Sequence, residues 1–306
     1  SDAVVVTEDV KAGIKKISDL APLHNPANLD GIVACETVFP NVPNVAVFDT
    51  AFHQTMPKHA FMYAIPQKYY DEYRIRKYGF HGTSHKFVTQ AAADYLKRPL
   101  EELNLITCHL GNGSSITAIK GGRVVDTSMG LTPLPGMIMG TRCGDIDPAI
   151  IVFLARKGMS IDEIDNMLNK QSGLLGVNGL DSGDMRDTVT AAAQGKAAAQ
   201  NALDMFGHRA ALYIGGYYTL LGGADAIIFT GGIGENSAPG RRAIITRLEA
   251  LGCKLDEARN KAVFGTLGLV STDASKLPAI VIPTNEELMI ARDTFRLLCG
   301  SASAKK

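Results

Sequence analysis

LITCHLGNGSSITAIKGGRVVDT, residues 105–127, is the stretch that decides the fold class. Leu105 to Leu110, Ser115 to Ile119 and Arg123 to Thr127 are short runs rich in apolar and β-branched residues. Gly111 to Gly113 and Gly121-Gly122 separate them, so the spacing predicts three strands in an antiparallel meander. Ala226 to Phe229 and Ala279 to Ile282 are two more buried-strand patterns, each followed by a helical one. A meander followed by strand-to-helix units is a mixed α/β order.

Reading outward, Val4 to Val6 is strand-like. Thr7 can cap a helix carrying Val10, Ile14, Ile17 and Leu20 on one face and stopping before Pro22. A second helix is expected over about Leu29 to Thr37, then a buried strand Val45 to Phe48 with Asp49 at its carboxyl end, where α/β folds commonly hold ligands. The aromatic-rich segment from Asp49 to Tyr78 reads as a connector between domains. Thr83 or Ser84 starts a helix to about Leu96, and Asp147-Pro148 starts one that ends at Gly158. Ser160 with Glu163, and Thr284 with Glu287, have capping-box spacing. A long Ala-rich helix covers about Lys196 to Leu221. No internal repeat is visible.

The 306 residues carry 31 basic and 31 acidic side chains, with 46% apolar and 20% charged residues. A zero net charge removes the general attraction that nucleic-acid and anionic-membrane binders need. Five cysteines without close pairs argue against a disulfide framework and a CxxC zinc site, and point to a reduced, cytoplasmic setting. Neither a signal peptide nor a membrane span is expected. A compact body of this mass would expose roughly 12,000 Å².

Two glycine loops follow strands, His109-Leu110-Gly111-Asn112-Gly113 and Gly231-Gly232-Ile233-Gly234-Glu235-Asn236. Backbone without Cβ atoms can point its N–H groups at a phosphate, although either loop taken alone reads first as ordinary structure, a tight turn for the one and a helix entry for the other. Neither is a GxxxxGK[ST] or a GxGxxG, which disfavours Walker-type and nicotinamide-binding folds. His81 and His85 lie four apart, but Gly82 leaves His81 in a loop and no glutamate follows as in HExxH, so zinc is disfavoured. Asp147 is accounted for as a cap. Glu287 is accounted for by its capping box, which leaves Glu286 as the metal-ligand candidate.

APLHNP from residue 21, VFDTAFHQTMP from 47, YGFHGTSH from 78, HLGNGSS from 109, DTSMGLTPLPG from 126, MGTRCGDIDP from 139, FTGGIGEN from 229 and IPTNEE from 282 together resemble the acetate kinase family. The resemblance implies a duplicated ribonuclease-H-like fold shared with actin, sugar kinases and chaperone ATPases, and Mg²⁺-dependent, reversible transfer of the ATP γ-phosphoryl to acetate, giving acetyl phosphate and ADP. Mn²⁺ is a stand-in for Mg²⁺. Two segments of the family pattern, N-x-G-S-S-S-x-K and H-R-x-x-H-G, are not found in these residues, and Cys143 stands where serine is usual. On this resemblance residues 1–51, with 287–306 returning to them, are a remnant of an N-terminal domain, and 52–286 form the nucleotide-binding domain.

By the same resemblance, Arg142 and His81 stabilise the transition state, Asp49 lies near the reacting carboxylate, and His24 is a further phosphate-side donor, its reading as a packed loop histidine staying open. His109, Leu110, Gly111, Asn112 and Gly113 wrap phosphates. Asp184, Met185 and Arg186, with Gly232, Ile233, Gly234, Glu235 and Asn236, hold the adenosine end. Leu23, Phe80 and Pro133 wall an apolar acetate pocket, and Glu286 holds the metal. A homodimer is implied. Three rival readings remain: a propionate or butyrate kinase, a nucleotide-binding module without transfer activity, and a C-terminal portion that needs a separate N-terminal fragment.

Overall fold

In this computed structural model, residues 3–16, 18 and 25–300 are described. His24 and Leu23, and the helix expected to run on through Ile17 and Leu20, therefore fall outside the described residues. The chain begins with β1 (Val4–Val5), α1 (Glu8–Lys16) and α2 (Asn25–Val38), and β2 (Val45–Ala46) returns to pair antiparallel with β1. The buried strand expected over Val45 to Phe48 is thus a half-buried pair of residues, and Asp49 sits in the turn beyond it. Its apolar run has only a two-stranded ribbon to join, which is too little sheet to extend it. α2 starts four residues earlier than expected, because Pro26 fits the first helical turn, where no N–H is needed.

The segment expected to be a connector is packed structure. A 3₁₀ turn at Ala51–Thr55, α3 (Lys58–Phe61) and α4 (Lys68–Tyr73) press Phe52, Met56 and Phe61 onto the sheet. Phe52 and Phe61 pack partly buried against the core, which is why the aromatic composition misleads, while Tyr73 stays exposed. α5 (Gly82–Leu96) follows. The meander is then β3 (Asn104–Leu110), β4 (Ser114–Lys120) and β5 (Arg123–Thr127), with Leu110 opposite Ser114 and Lys120 opposite Arg123.

A long loop leads to α6 (Ala149–Arg156), α7 (Ile161–Lys170), α8 (Gly173–Val177), α9 (Met185–Ala193) and α10 (Ala197–Leu221). Asp147 accepts the Ala149 N–H at 2.8 Å, and Ser160 and Glu163 close a full capping box, as their spacing predicts. β6 (Ala226–Thr230) runs into α11 (Gly231–Asn236) and α12 (Ala238–Ile245). α13 (Glu257–Ala262), β7 (Gly268–Leu269), β8 (Ala279–Val281) and α14 (Glu286–Cys299) complete the fold. The cap of α14 is Asn285, whose side chain accepts the Leu288 N–H at 2.9 Å. The expected Thr284 box is not formed, because the helix begins one residue later, with Asn285 at the N-cap, and the Thr284 hydroxyl meets Ser84 instead.

The main sheet has the order β5-β4-β3-β6-β8-β7. β3, β4 and β5 are mutually antiparallel, and β6 and β8 run parallel to β3. A meander continued by two parallel strands is the ribonuclease-H-like α/β arrangement that the motifs imply. Ile106, Cys108, Ile116 and Ala118 face a core built with α10 and α12, and Leu105, Ile119 and Ile228 face one built with α5. The carboxyl ends of β3, β6 and β8 therefore emerge along one edge of a three-layer body. The chain exposes 15,933 Å², well above the roughly 12,000 Å² of a compact monomer of its mass.

Candidate active site

Three loops meet at that edge. The first leads into α5, where His81 is the N-cap residue and has φ +58°, a left-handed backbone that few side-chain-bearing residues adopt. Asp49 holds it there. Its Oδ2 accepts the His81 N–H at 2.7 Å, and its carbonyl oxygen accepts the Gly82 N–H at 2.9 Å. A Cβ on Gly82 would overlap that same carbonyl oxygen, so only glycine permits the approach.

The second loop is Gly111 to Gly113, between β3 and β4. His109, at the end of β3, stacks its ring on His81 with centroids 4.1 Å apart. The Ser84 hydroxyl bridges His109 Nδ1 and Thr284 Oγ1, both at 2.8 Å. The third loop carries Arg142. Gly140 donates its N–H to the Asn112 carbonyl at 3.0 Å, so the second and third loops are bonded together.

A methyl group built on Gly113 would lie 3.2 Å from Arg142 Nη1 and 3.4 Å from His81 Nε2. One atom-sized position is thus flanked by a guanidinium and an imidazole. The guanidinium is half-buried, and its partners are the Pro133 carbonyl at 3.4 Å and the Met139 sulfur at 3.8 Å; no carboxylate pairs with it among the described residues. Burial lowers its pKa somewhat without discharging it. A desolvated cation lacking a counter-charge attracts an anion. Burial pushes His81 down to about 4, with the neighbouring His53 and Arg142 adding to the effect, so at neutral pH it is an uncharged N–H donor. Burial likewise lowers His109 to about 3.

The acidic side of the site is Asp49 and Glu286. Burial, and then repulsion from Asp49, raise the Glu286 pKa. No group of three or more His, Cys, Asp or Glu side chains is arranged to hold a metal among the described residues. Two carboxylates at a phosphate site nevertheless suit Mg²⁺, which takes one or two carboxylates and fills the rest of its shell with substrate phosphates and water.

The remaining expected residues lie close by. Phe80 precedes His81, and Pro133 touches Arg142 through its carbonyl. Asp184 caps α9 and forms a 2.6 Å ion pair with Arg186, and its neighbour Gly183 packs backbone to backbone on Gly140. The Met185 side chain lies in the core, so only its backbone is free to meet a ligand. Gly232 is open and Asn236 bonds back to its carbonyl. The Glu235 carboxylate is turned inward. Its Oε1 accepts from Thr230 Oγ1, Gly231 N and Thr284 N at 3.2, 2.8 and 3.1 Å, tying the ends of β6 and β8 together.

Several supporting residues have roles that only the folded chain reveals. Arg241 is fully buried and donates to the carbonyls of Gly234, Glu235, Asn260 and Val263 and to Asn260 Oδ1, which fixes the Gly231–Asn236 turn from below. Asp145 accepts from Gly136 N at 2.8 Å and Tyr213 Oη at 2.6 Å, which ties the Arg142 loop to α10. Ser84, Ser115, Thr107 and His85 form a buried polar seam beneath His81. An arginine or serine of this kind has no local pattern to find it by, because its partners are far along the chain.

Comparison with known proteins agrees with this geometry. The acetokinase family model matches residues 1–292. The acetate kinase of Caldicellulosiruptor saccharolyticus is 57% identical over 300 residues, an alignment covering 97% of this chain and 75% of the relative. The crystal structure of Porphyromonas gingivalis acetate kinase superposes with a TM-score of 0.93 at 43% identity, over 97% of this chain and 75% of that one. A propionate kinase from Francisella tularensis gives 0.90 at 48%, over 95% and 74%. With the fold, the loop order and the family match in agreement, the chain belongs to the acetokinase family.

Proposed function

We propose that the site transfers the γ-phosphoryl group of ATP to acetate, with Arg142 and His81 as the groups that receive the developing charge. The chain is an acetate kinase by family, and ATP and acetate are the substrates. The observation that supports the residue roles is the convergence of Arg142 Nη1 and His81 Nε2 on the space beside Gly113.

The chemistry asks for little else. Acetate is already a carboxylate at neutral pH, so no general base is needed. Rate then depends on aligning donor and acceptor and on neutralising the equatorial oxygens of the phosphoryl group in flight. Arg142 supplies positive charge in a half-buried setting, where it acts more strongly than in water. His81 supplies a neutral N–H. The Gly111–Gly113 backbone, and the turn from Gly232 to Asn236 with Asp184 and Arg186, hold phosphates and adenosine. Phe80 and Pro133 form the apolar wall for the acetate methyl.

Glu286 and Asp49 are the groups that would hold Mg²⁺. When bound, the ion neutralises phosphate charge. Hydroxamate trapping of acetyl phosphate, run in parallel with acetate, propionate and butyrate, tests the activity and the acid preference together. Acetate is expected to turn over best and propionate more slowly, since one methylene in a small pocket is worth about 1–3 kcal/mol. Faster turnover of propionate or butyrate would move the assignment to the related kinases.

Two assembly proposals accompany this. α6 buries none of its residues and leaves Ile150, Val152 and Phe153 exposed, which with the large total surface supports a homodimer. α2 also buries nothing and exposes Val33 and Val38, which supports a covering segment that carries the N-x-G-S-S-S-x-K pattern. Light scattering tests the first; a rise in turnover on adding back such a segment from a relative tests the second.

A further inference from the structure

The seam beneath His81 has a direction. In the β3–β4 register Thr107 faces Thr117 and His109 faces Ser115, and these alternate residues form a polar strip on the α5 side of the sheet. His85, fully buried on α5, closes over it. Its Nδ1 is 2.7 Å from Thr107 Oγ1, and its Nε2 is 2.8 Å from Ser115 Oγ. Ser115 Oγ is in turn 2.9 Å from His81 Nδ1. Neither hydroxyl has another hydrogen-bond partner among the described residues.

We infer that Thr107, His85 and Ser115 form a hydrogen-bond relay that fixes His81 as its Nε2–H tautomer, the form that can donate to a phosphoryl oxygen. The inference rests on the role proposed for His81 and makes the other three positioning residues, since none of them faces the substrate.

Counting protons gives the direction. Each imidazole carries one N–H, because a second proton on His85 would strand the Thr107 hydroxyl proton and a second on His81 would strand that of Ser115. The Thr107 hydroxyl is fully buried, and its proton has one available acceptor, His85 Nδ1. With that nitrogen accepting, His85 must carry its proton on Nε2 and donate to Ser115. Ser115 then donates to His81 Nδ1, and the remaining His81 proton falls on Nε2, beside Gly113 and Arg142. The reverse order strands the Thr107 proton without an acceptor. Two rings both donating to Ser115 strand the serine proton, and two rings both accepting would need two protons from one hydroxyl. Only the outward order satisfies every buried donor. No proton moves along the chain; the relay sets where one resides.

The test is ¹⁵N NMR of the full chain labelled in its seven histidines, which reports the tautomer of each ring, with the His81 and His85 signals identified through His81→Gln and His85→Gln. Both rings are expected as single Nε2–H tautomers. Ser115→Ala should release His81 alone into a mixture, because Thr107 still holds His85. Thr107→Val should release both rings together. A merely structural role would not separate the two variants in this way. In the kinase assay Ser115→Ala should lower kcat by about tenfold through lost ring orientation while leaving both KM values nearly unchanged. An Nδ1–H tautomer for His81 in the unmodified chain, or a tautomer unmoved by Ser115→Ala, overturns the relay. The expected tautomers with turnover untouched by Ser115→Ala would uphold the relay and overturn the role given to His81.

Discussion

Glu286 and Glu287 are adjacent, both acidic and both in the first turn of α14, yet their surroundings differ. Glu287 is exposed, whereas Glu286 is half-buried and has its pKa raised by burial and by Asp49. A carboxylate made less stable by desolvation and a like charge gains most from a cation, so Glu286→Ala should raise the Mg²⁺ concentration needed for half-maximal rate. An unchanged magnesium titration would remove Glu286 from the metal site. Glu235 is the contrasting case. The motifs group it with the nucleotide residues, but its Oε1 is engaged by Thr230, Gly231 and Thr284. Glu235→Gln should therefore lower stability by about 1–3 kcal/mol, the scale for a buried acceptor whose partners are disturbed. Thermal denaturation measures this, and an unshifted midpoint would show that those bonds carry no stability.

At the scale of elements, the site depends on how α5 begins. His81 is held in a left-handed conformation by Asp49, and Gly82 lets the turn approach the Asp49 carbonyl. Gly82→Ala should push the two apart, with a loss of about 1–3 kcal/mol from overpacking and a fall in kcat as His81 shifts. Wild-type turnover in that variant would show that the close approach is dispensable. The meander, the capping box at Ser160 and the long α10 are legible in the sequence because their signals are local: alternation, cap spacing and helical periodicity. Val45 to Phe48 misleads because its run is β-rich while a strand's length depends on the partner it finds. Thr284 has the spacing of a cap, but its hydroxyl serves Ser84, 200 residues away. The motifs locate His81, Arg142 and the glycine loops, but the mutual approach of Gly113, Arg142 and His81 is a product of three separate loops and cannot be read from any one of them.

For the molecule as a whole, the same burial that shapes the site sets an acid limit. His53 is lowered to about 3, His81 to about 4 and His109 to about 3, and His85 falls well below its ordinary value, all chiefly through burial. Unfolded, each would accept a proton near 6.5. Below that pH the unfolded state takes up protons that the folded state refuses. Stability is therefore full above about 6.5 and is lost as pH falls toward 4, each histidine steepening the slope by up to about 1.4 kcal/mol per pH unit. Urea melts at a series of pH values should show this multi-proton slope, and a pH-independent midpoint between 6.5 and 4 would contradict it. The central claim is that a cation without a counter-charge and a neutral N–H converge on the transferring group. Steady-state kinetics of Arg142→Ala, paired with an ATP-binding titration, test it most directly. The account predicts a fall in kcat of about 10²–10³-fold, the scale for losing one group that stabilises developing charge, with ATP affinity nearly intact; weakened ATP binding with kcat preserved would contradict it.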